Sequence, residues 1–341
     1  MPSNIRIGIS IGDIHGIGLE IILKTFNKND LLKNFSTIIF GPHQQCFEYL
    51  SEKKIDTSLL NKIFSLDEIE ENKLNLLEDK NFKHKVSLGV PSKESALISY
   101  ESLLHAASEL KAKNIDALVT APIDKNQIRN SISDFIGHTE FLERNFEGES
   151  LMIMTSDVMK IAFVTGHIPL NKVSKEISTE KIIKKTKQLN HSLKQDFNIQ
   201  KPKIAVLGLN PHAGENGMLG IEDSTLIEPA IKKLNKEFLL DILGPFPADS
   251  FFTKDNLNKY DGILAMYHDQ GLIPFKTLSF SKGVNFTGGL NIIRTSPVHG
   301  VAYDIVKENT ANEESFKQAV ITSYKIMQSR LGIKKLSSKE N

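Results

Sequence analysis

The sequence predicts an α/β protein built on parallel strands, on three observations. Short apolar, β-branched runs recur, a turn follows each, and helical periodicity follows several of the turns. Six runs stand out: IRIGISIG (5–12), STIIFGP (36–42), IDALVTAP (115–122), MKIAFVTGH (159–167), PKIAVLGLNPH (202–212) and YDGILAMYHD (260–269). Their apolar character is continuous rather than alternating, which marks strands covered on both faces, as in βα units. Between the second and third runs, Ala96, Tyr100, Leu103, Ala107 and Leu110 fall on one face of a helix. Near the other end, Thr310 and Glu313 form a capping-box pattern ahead of a stripe of Phe316, Val320, Tyr324, Met327 and Leu331. The polar tail after Gly332 (IKKLSSKEN) is expected to fray. The stretch 51–85 is rich in charge and Asn without a clean period, and is expected to be irregular or peripheral. No internal repeat or low-complexity segment interrupts the pattern.

Composition narrows the function. A chain of 341 residues implies about two domains. Forty-two Lys+Arg against 41 Asp+Glu leave a net charge of +1, too balanced for a partner that is a polyanion or a membrane surface. No Trp and 7% aromatic residues argue against base-stacking platforms. The single cysteine, Cys46, excludes an intramolecular disulfide and a thiolate-only metal site, so metal chemistry would need histidine or carboxylate. The opening MPSNIRIGIS lacks a basic stretch followed by an apolar run, and no segment approaches the ~20 apolar residues of a membrane span. A soluble cytoplasmic protein is the default expectation.

In α/β sheets ligands bind at the carboxyl ends of strands. Those ends carry Thr120 and Pro122, then His167, His212, and His268 with Asp269. Three imidazoles could hold a divalent transition metal and leave positions open for a substrate oxygen. Alternatively, each makes an ordinary hydrogen bond at a loop mouth. The loop NPHAGENGMLGIED (210–223) has three glycines that allow close backbone approach, with Glu222 and Asp223 placed near the next helix start. It reads equally as a flexible connection. In GHTEF (137–141), Thr139 can cap a helix whose free N–H groups would hold phosphate, or the segment is a capped helix and nothing more. Lys276, Asn285 and Arg294 lie in apolar, Gly-rich sequence; the two cations suit an anionic substrate, with snorkelling surface cations as the alternative. SIGDIHGIGLE (10–20) is Gly-rich without the GxGxxG spacing, and no P-loop occurs, which disfavours a Rossmann-type or P-loop nucleotide site.

Taken together, GHTEF, TGH, LGLNPHAGENGMLG with Glu222 and Asp223, GPFPAD (244–249), AMYHDQG (265–271), GVNFT, IRTS (293–296) and HG (299–300) closely resemble the 4-hydroxythreonine-4-phosphate dehydrogenase family of pyridoxine phosphate biosynthesis. The resemblance runs from Ile7 to about Val306. It implies an isocitrate/isopropylmalate-dehydrogenase-like fold of two α/β domains with a cleft between them, set here at 1–130 plus 300–341 and at 131–299. It implies a homodimer with its active site at the subunit interface, NAD or NADP, and one divalent metal (Zn, Mg or Co) held by three histidines from both subunits. Those ligands fall on His167, His212 and His268, and the substrate contacts on His138, Thr139, Lys276, Asn285 and Arg294. Asp249 and Asp269 are candidates to orient an imidazole, and Lys276 is a candidate acid/base; no residue is assigned to the cofactor. The implied reaction oxidises 4-phosphooxy-L-threonine to a β-keto acid that loses CO2 to give 3-amino-2-oxopropyl phosphate. Other readings are a dehydrogenase of a phosphorylated sugar acid, a metal-dependent phosphate-ester hydrolase, and a binding protein without catalysis. The first loop departs from the family's usual GEPAGIGPE: here it is GDIHGIGLE, with Asp13, His15 and Leu19 at the altered positions.

Overall fold

The computed structural model describes residues 5–27, 30–78, 82–279 and 281–332. The tail expected to fray, from 333 on, lies outside the described residues. The fold is mixed α/β, with a large sheet and many helices. Its strands are β1 (Arg6–Ser10), β2 (Ser36–Phe40), β3 (Leu60–Ile63), β4 (Leu74–Leu77), β5 (Ala117–Thr120), β6 (Gly148–Thr155), β7 (Lys160–Phe163), β8 (Lys203–Leu207), β9 (Asp241–Phe246), β10 (Gly262–Ala265), β11 (Val284–Leu290) and β12 (Arg294–Pro297). All six runs predicted as strands are strands: β1, β2, β5, β7, β8 and β10. Within that set every pairing is parallel, β1 with β2 and β5, and β10 with β7 and β8.

The chain divides into two compact units, Met1–Gly148 with Leu290–Met327, and Glu149–Gly289 with Gln328–Asn341. The divisions fall later than 130 and earlier than 300. The helix His138–Asn145, assigned above to the second domain, belongs to the first unit because its fully buried Leu142 joins a core with Phe40, Leu103, Leu118 and Leu290. Arg294 moves with it. Strand order in the first unit is β3-β4-β2-β1-β5-β12, and in the second β11-β6-β7-β10-β8-β9.

The stretch 51–85 is more regular than expected. LNLL forms β4, buried at all four positions and parallel to β2, while β3 pairs outside it at the edge. The apolar run is only four residues long and stands among charges, so no period announces it. In the second unit β6 pairs antiparallel with β7, through a turn in which the Ser156 hydroxyl accepts from the N–H groups of Val158 and Met159.

The predicted helix over 96–110 spans Lys93–Lys111, and Ser92 caps it by accepting from the Ser95 N–H at 3.0 Å. The last helix is Glu314–Arg330. Thr310 turns to Glu308, and the Asn312 side chain accepts from the Glu314 N–H at 2.8 Å.

The Gly-rich first loop is packed tightly. Gly12 has φ +70° and a Cβ there would lie 2.3 Å from the Pro122 carbonyl; one on Gly18 would lie 2.4 Å from the Ile11 carbonyl. The altered residues are absorbed by local contacts. Buried Asp13 accepts from Tyr303 Oη at 2.8 Å and Ser95 Oγ at 3.2 Å, and burial pushes its carboxyl pKa up. The His15 ring bonds the Val90 carbonyl at 2.7 Å and meets His84 at 3.1 Å.

Candidate functional site

In the second unit, β7, β10 and β8 are parallel neighbours with β10 in the middle, so their carboxyl ends open on one edge. His167 follows β7, His268 follows β10 and His212 follows β8. One hydrogen-bonded chain ties the three segments. The Thr165 N–H and hydroxyl both donate to the Met266 carbonyl (3.1 and 2.8 Å), the Met266 N–H donates to Gln270 Oε1 (2.7 Å), and Gln270 Nε2 donates to the Gly208 carbonyl (2.6 Å). Sequence reading passed over Gln270; its signal was the DQ pair directly after the strand-end histidine.

The rings of His167 and His268 are 5.2 Å apart, and His268 also stacks on Phe163 at 6.0 Å. His268 Nδ1 lies 2.6 Å from Asp269 Oδ1. A carboxylate can only accept there, so Nδ1 carries a proton and Nε2 is the nitrogen left to face a ligand, the arrangement in which histidines ligate metals. Of the two aspartates considered, Asp269 is the one bonded to an imidazole; Asp249 is exposed on the short helix Ala248–Phe251. Among the described residues no three His, Cys, Asp or Glu side chains gather into a metal-binding group. One chain thus brings His167 and His268 together, with His212 exposed at the neighbouring strand end.

His212 opens an unusual turn. His212, Ala213, Gly214, Glu215 and Asn216 all have positive φ, between 42° and 83°. A left-handed turn costs roughly 1–2 kcal/mol for each residue that is not glycine, and such strain persists only where surrounding contacts enforce it. Lys276 is exposed on the helix His268–Leu278, eight residues past His268 and therefore about 12 Å further along the axis. Asn285 is half-buried in β11.

The other predicted contacts lie in the first unit. Arg294 is 2% exposed, and its Nε and Nη2 donate to Thr120 Oγ1 at 3.1 and 2.6 Å. Burial pushes its pKa down to about 10, opposed by nearby Glu140. His138 opens its helix as a buried residue, and its Nε2 has no hydrogen-bond partner. Burial, with the charges of Arg294 and Lys125, drives its pKa well below the usual range, so the ring is neutral. Thr139 is not the cap. The cap position is extended Gly137, which supplies no side chain and leaves the first N–H groups of the helix available. A Cβ on Gly137 would sit 3.2 Å from Lys125 Nζ and 2.9 Å from Glu140 Oε2. Lys125, which sequence reading missed, is placed by Asp124, whose carboxylate caps the helix Lys125–Ser131. Two cations, a helix N-terminus and an unpartnered buried imidazole nitrogen make this a cradle for an anionic group.

Strand-end chemistry on a mixed α/β scaffold, with histidines in one unit and an anion cradle in the other, defines an α/β protein equipped for a small anionic ligand. The chain belongs to the family described as pyridoxal phosphate biosynthetic protein PdxA, whose family model matches residues 34–323. It is 39% identical over 330 residues to the 4-hydroxythreonine-4-phosphate dehydrogenase of Bacteroides thetaiotaomicron, covering 96% of this chain and 90% of that one. The enzyme of the same name from Aquifex aeolicus is 39% identical over 320 residues, covering 93% and 97%. Among solved structures, the Klebsiella pneumoniae 4-hydroxythreonine-4-phosphate dehydrogenase superposes with a TM-score of 0.83 at 28% identity, covering 96% of this chain and 99% of that one.

Proposed function

We propose that this chain is a 4-hydroxythreonine-4-phosphate dehydrogenase. It oxidises the hydroxyl-bearing carbon of 4-phosphooxy-L-threonine to a ketone with NAD or NADP as acceptor, and the β-keto acid loses CO2 to give 3-amino-2-oxopropyl phosphate. In a chain of this family, the observation that carries the reading is the His167–His268 pair at one strand edge, with His268 Nδ1 held by Asp269. The fold is read as isocitrate/isopropylmalate-dehydrogenase-like.

The residues fit a divalent metal, Zn, Mg or Co: His167, His212 and His268 would hold it, the set being completed across two copies of a homodimer. When bound, it supplies Lewis acidity toward the hydroxyl and ketone oxygens, while the nicotinamide supplies the hydride acceptor. Asp269 fixes the tautomer and direction of His268. The cradle of Arg294, Lys125, the amides at His138 and Thr139, and His138 Nε2 grips phosphate. At Arg294 and His138 burial strengthens the contact, because little water competes. Lys276 and Asn285 are read as substrate contacts, and Lys276 as the candidate acid/base. Its place two helical turns from His268 suits it to a group other than the one His268 faces.

Incubating the purified protein with 4-phosphooxy-L-threonine and NAD or NADP, with and without a chelator, tests the reading. Nicotinamide reduction that the chelator abolishes is the expected result. Reduction only with a phosphorylated sugar acid would shift the substrate class, and phosphate release without an absorbance change would replace oxidation by hydrolysis.

A further inference from the structure

The left-handed turn that begins at His212 needs something to hold it, and one buried carboxylate is placed to do so. Asp223 is 2% exposed. Its Oδ1 accepts from the Leu209 N–H at 2.8 Å, and its Oδ2 accepts from the Asn210 N–H at 3.1 Å and from Asn210 Nδ2 at 2.9 Å. These donors, Leu209 and Asn210, are two of the four residues between β8 and the turn, whereas Asp223 begins the segment Asp223–Ile227 that leads into the helix Glu228–Phe238. The carboxylate therefore bridges the start and end of the loop 210–223 from inside. The backbone has closed around it: a Cβ on Gly208 would lie 2.7 Å from Asp223 Oδ1, and one on Gly214 would lie 3.4 Å from Asp223 Cβ. Glu222 adds a second acceptor for Asn210 Nδ2, at 2.9 Å.

We propose that Asp223 is a positioning residue, which fixes the left-handed turn and with it the direction in which His212 leaves β8. It touches no substrate and acts through His212; its effect on chemistry rests on the reading of His212 as a metal ligand given above. A charged acceptor satisfies three N–H groups that an apolar or amide side chain cannot. Without it, the turn relaxes toward right-handed geometry and His212 is displaced from the strand edge it shares with His167 and His268.

The test compares wild type, Asp223→Asn, Asn210→Ala and His212→Ala, each as the full chain. Asp223→Asn keeps the volume but presents an NH2 to donors that need an acceptor; Asn210→Ala removes one of the three bonds and is the milder variant should the first fail to fold. Amide exchange across 208–218 should accelerate at least tenfold in Asp223→Asn and less in Asn210→Ala, with the segment 117–120 unchanged. Cobalt(II) affinity, measured by calorimetry without substrate, should fall about 10–100-fold in Asp223→Asn, and kcat should fall far more than KM changes. Wild-type exchange across 208–218, or wild-type cobalt(II) affinity in a variant whose His212→Ala counterpart has lost it, overturns the proposal. If His212→Ala itself binds cobalt(II) like wild type, the three-histidine reading fails, and the exchange result alone then decides whether Asp223 holds the turn.

Discussion

Arg294 in the first unit is 2% exposed and anchored on Thr120, while His212 in the second stands exposed at the head of a strained turn. The first unit builds its cradle around buried Arg294 and His138, positioned by the same packing that makes the core: Leu142, one turn into the His138 helix, is a core residue. The second builds its histidine edge on loop mouths, positioned by a chain of hydrogen bonds through Met266, Gln270 and Gly208. In the first unit, site and stability are the same contacts; in the second they are separable. Substitutions should divide accordingly.

The largest effect on activity is expected from His212→Ala. Loss of a ligand should remove at least about a thousandfold of turnover, as removal of an essential group does. Because the side chain is exposed, stability should move by no more than about 0.5 kcal/mol. Turnover and a denaturation midpoint on the same preparation check both halves; a folded variant with full turnover would remove the metal reading. Arg294→Lys should do less to turnover and more to the fold. A planar fork that donates twice to Thr120 becomes a point charge in a buried slot, which should raise KM about tenfold or more and cost about 1–3 kcal/mol of stability. An unchanged KM would take Arg294 out of the substrate site, and an unchanged midpoint would break the contrast between the two units.

How much of this was legible in the sequence follows the same line. Strands covered on both faces advertise themselves, so β1, β2, β5, β7, β8 and β10 and the histidines at their ends could be read directly. β4 could not, since four apolar residues among charges carry no period, and β6 was passed over although it pairs with β7 through a short local turn. Thr139 is a good cap by type, yet the helix starts one residue before it, at His138, which leaves Gly137 in the cap position. Arg294 stood out as a cation in apolar, Gly-rich sequence and the resemblance added His138, but their burial and the part played by Lys125 come from packing between segments far apart in the chain, Thr120 and Arg294, 174 residues apart, among them. Asp223 was visible as an acidic residue before a helix; that it turns inward to hold β8's exit is a property of the loop's left-handed path.

The smallest expected effect sharpens the comparison most. His138 is neutral because burial and two cations disfavour its protonation, so its folded pKa lies well below 6.5, the unfolded value. Above pH 6.5 both states are neutral there and this group costs nothing. As pH falls below 6.5 the unfolded chain takes up a proton that the folded chain refuses, and stability is lost at about 1.4 kcal/mol per pH unit until the folded pKa is reached. Burial also holds His299 low, and burial holds His84 low, so wild type should be compared with His138→Gln. Between pH 6.5 and 5.5 the fall in unfolding free energy should be smaller in the variant by about 1 kcal/mol. Inorganic phosphate sharpens the result. An anion in the cradle offsets the charges of Arg294 and Lys125, raises the folded pKa of His138, and should flatten the wild-type slope without changing that of His138→Gln. Equal slopes with and without phosphate would mean that the cradle holds no anion, and buried Arg294 would then serve the core alone.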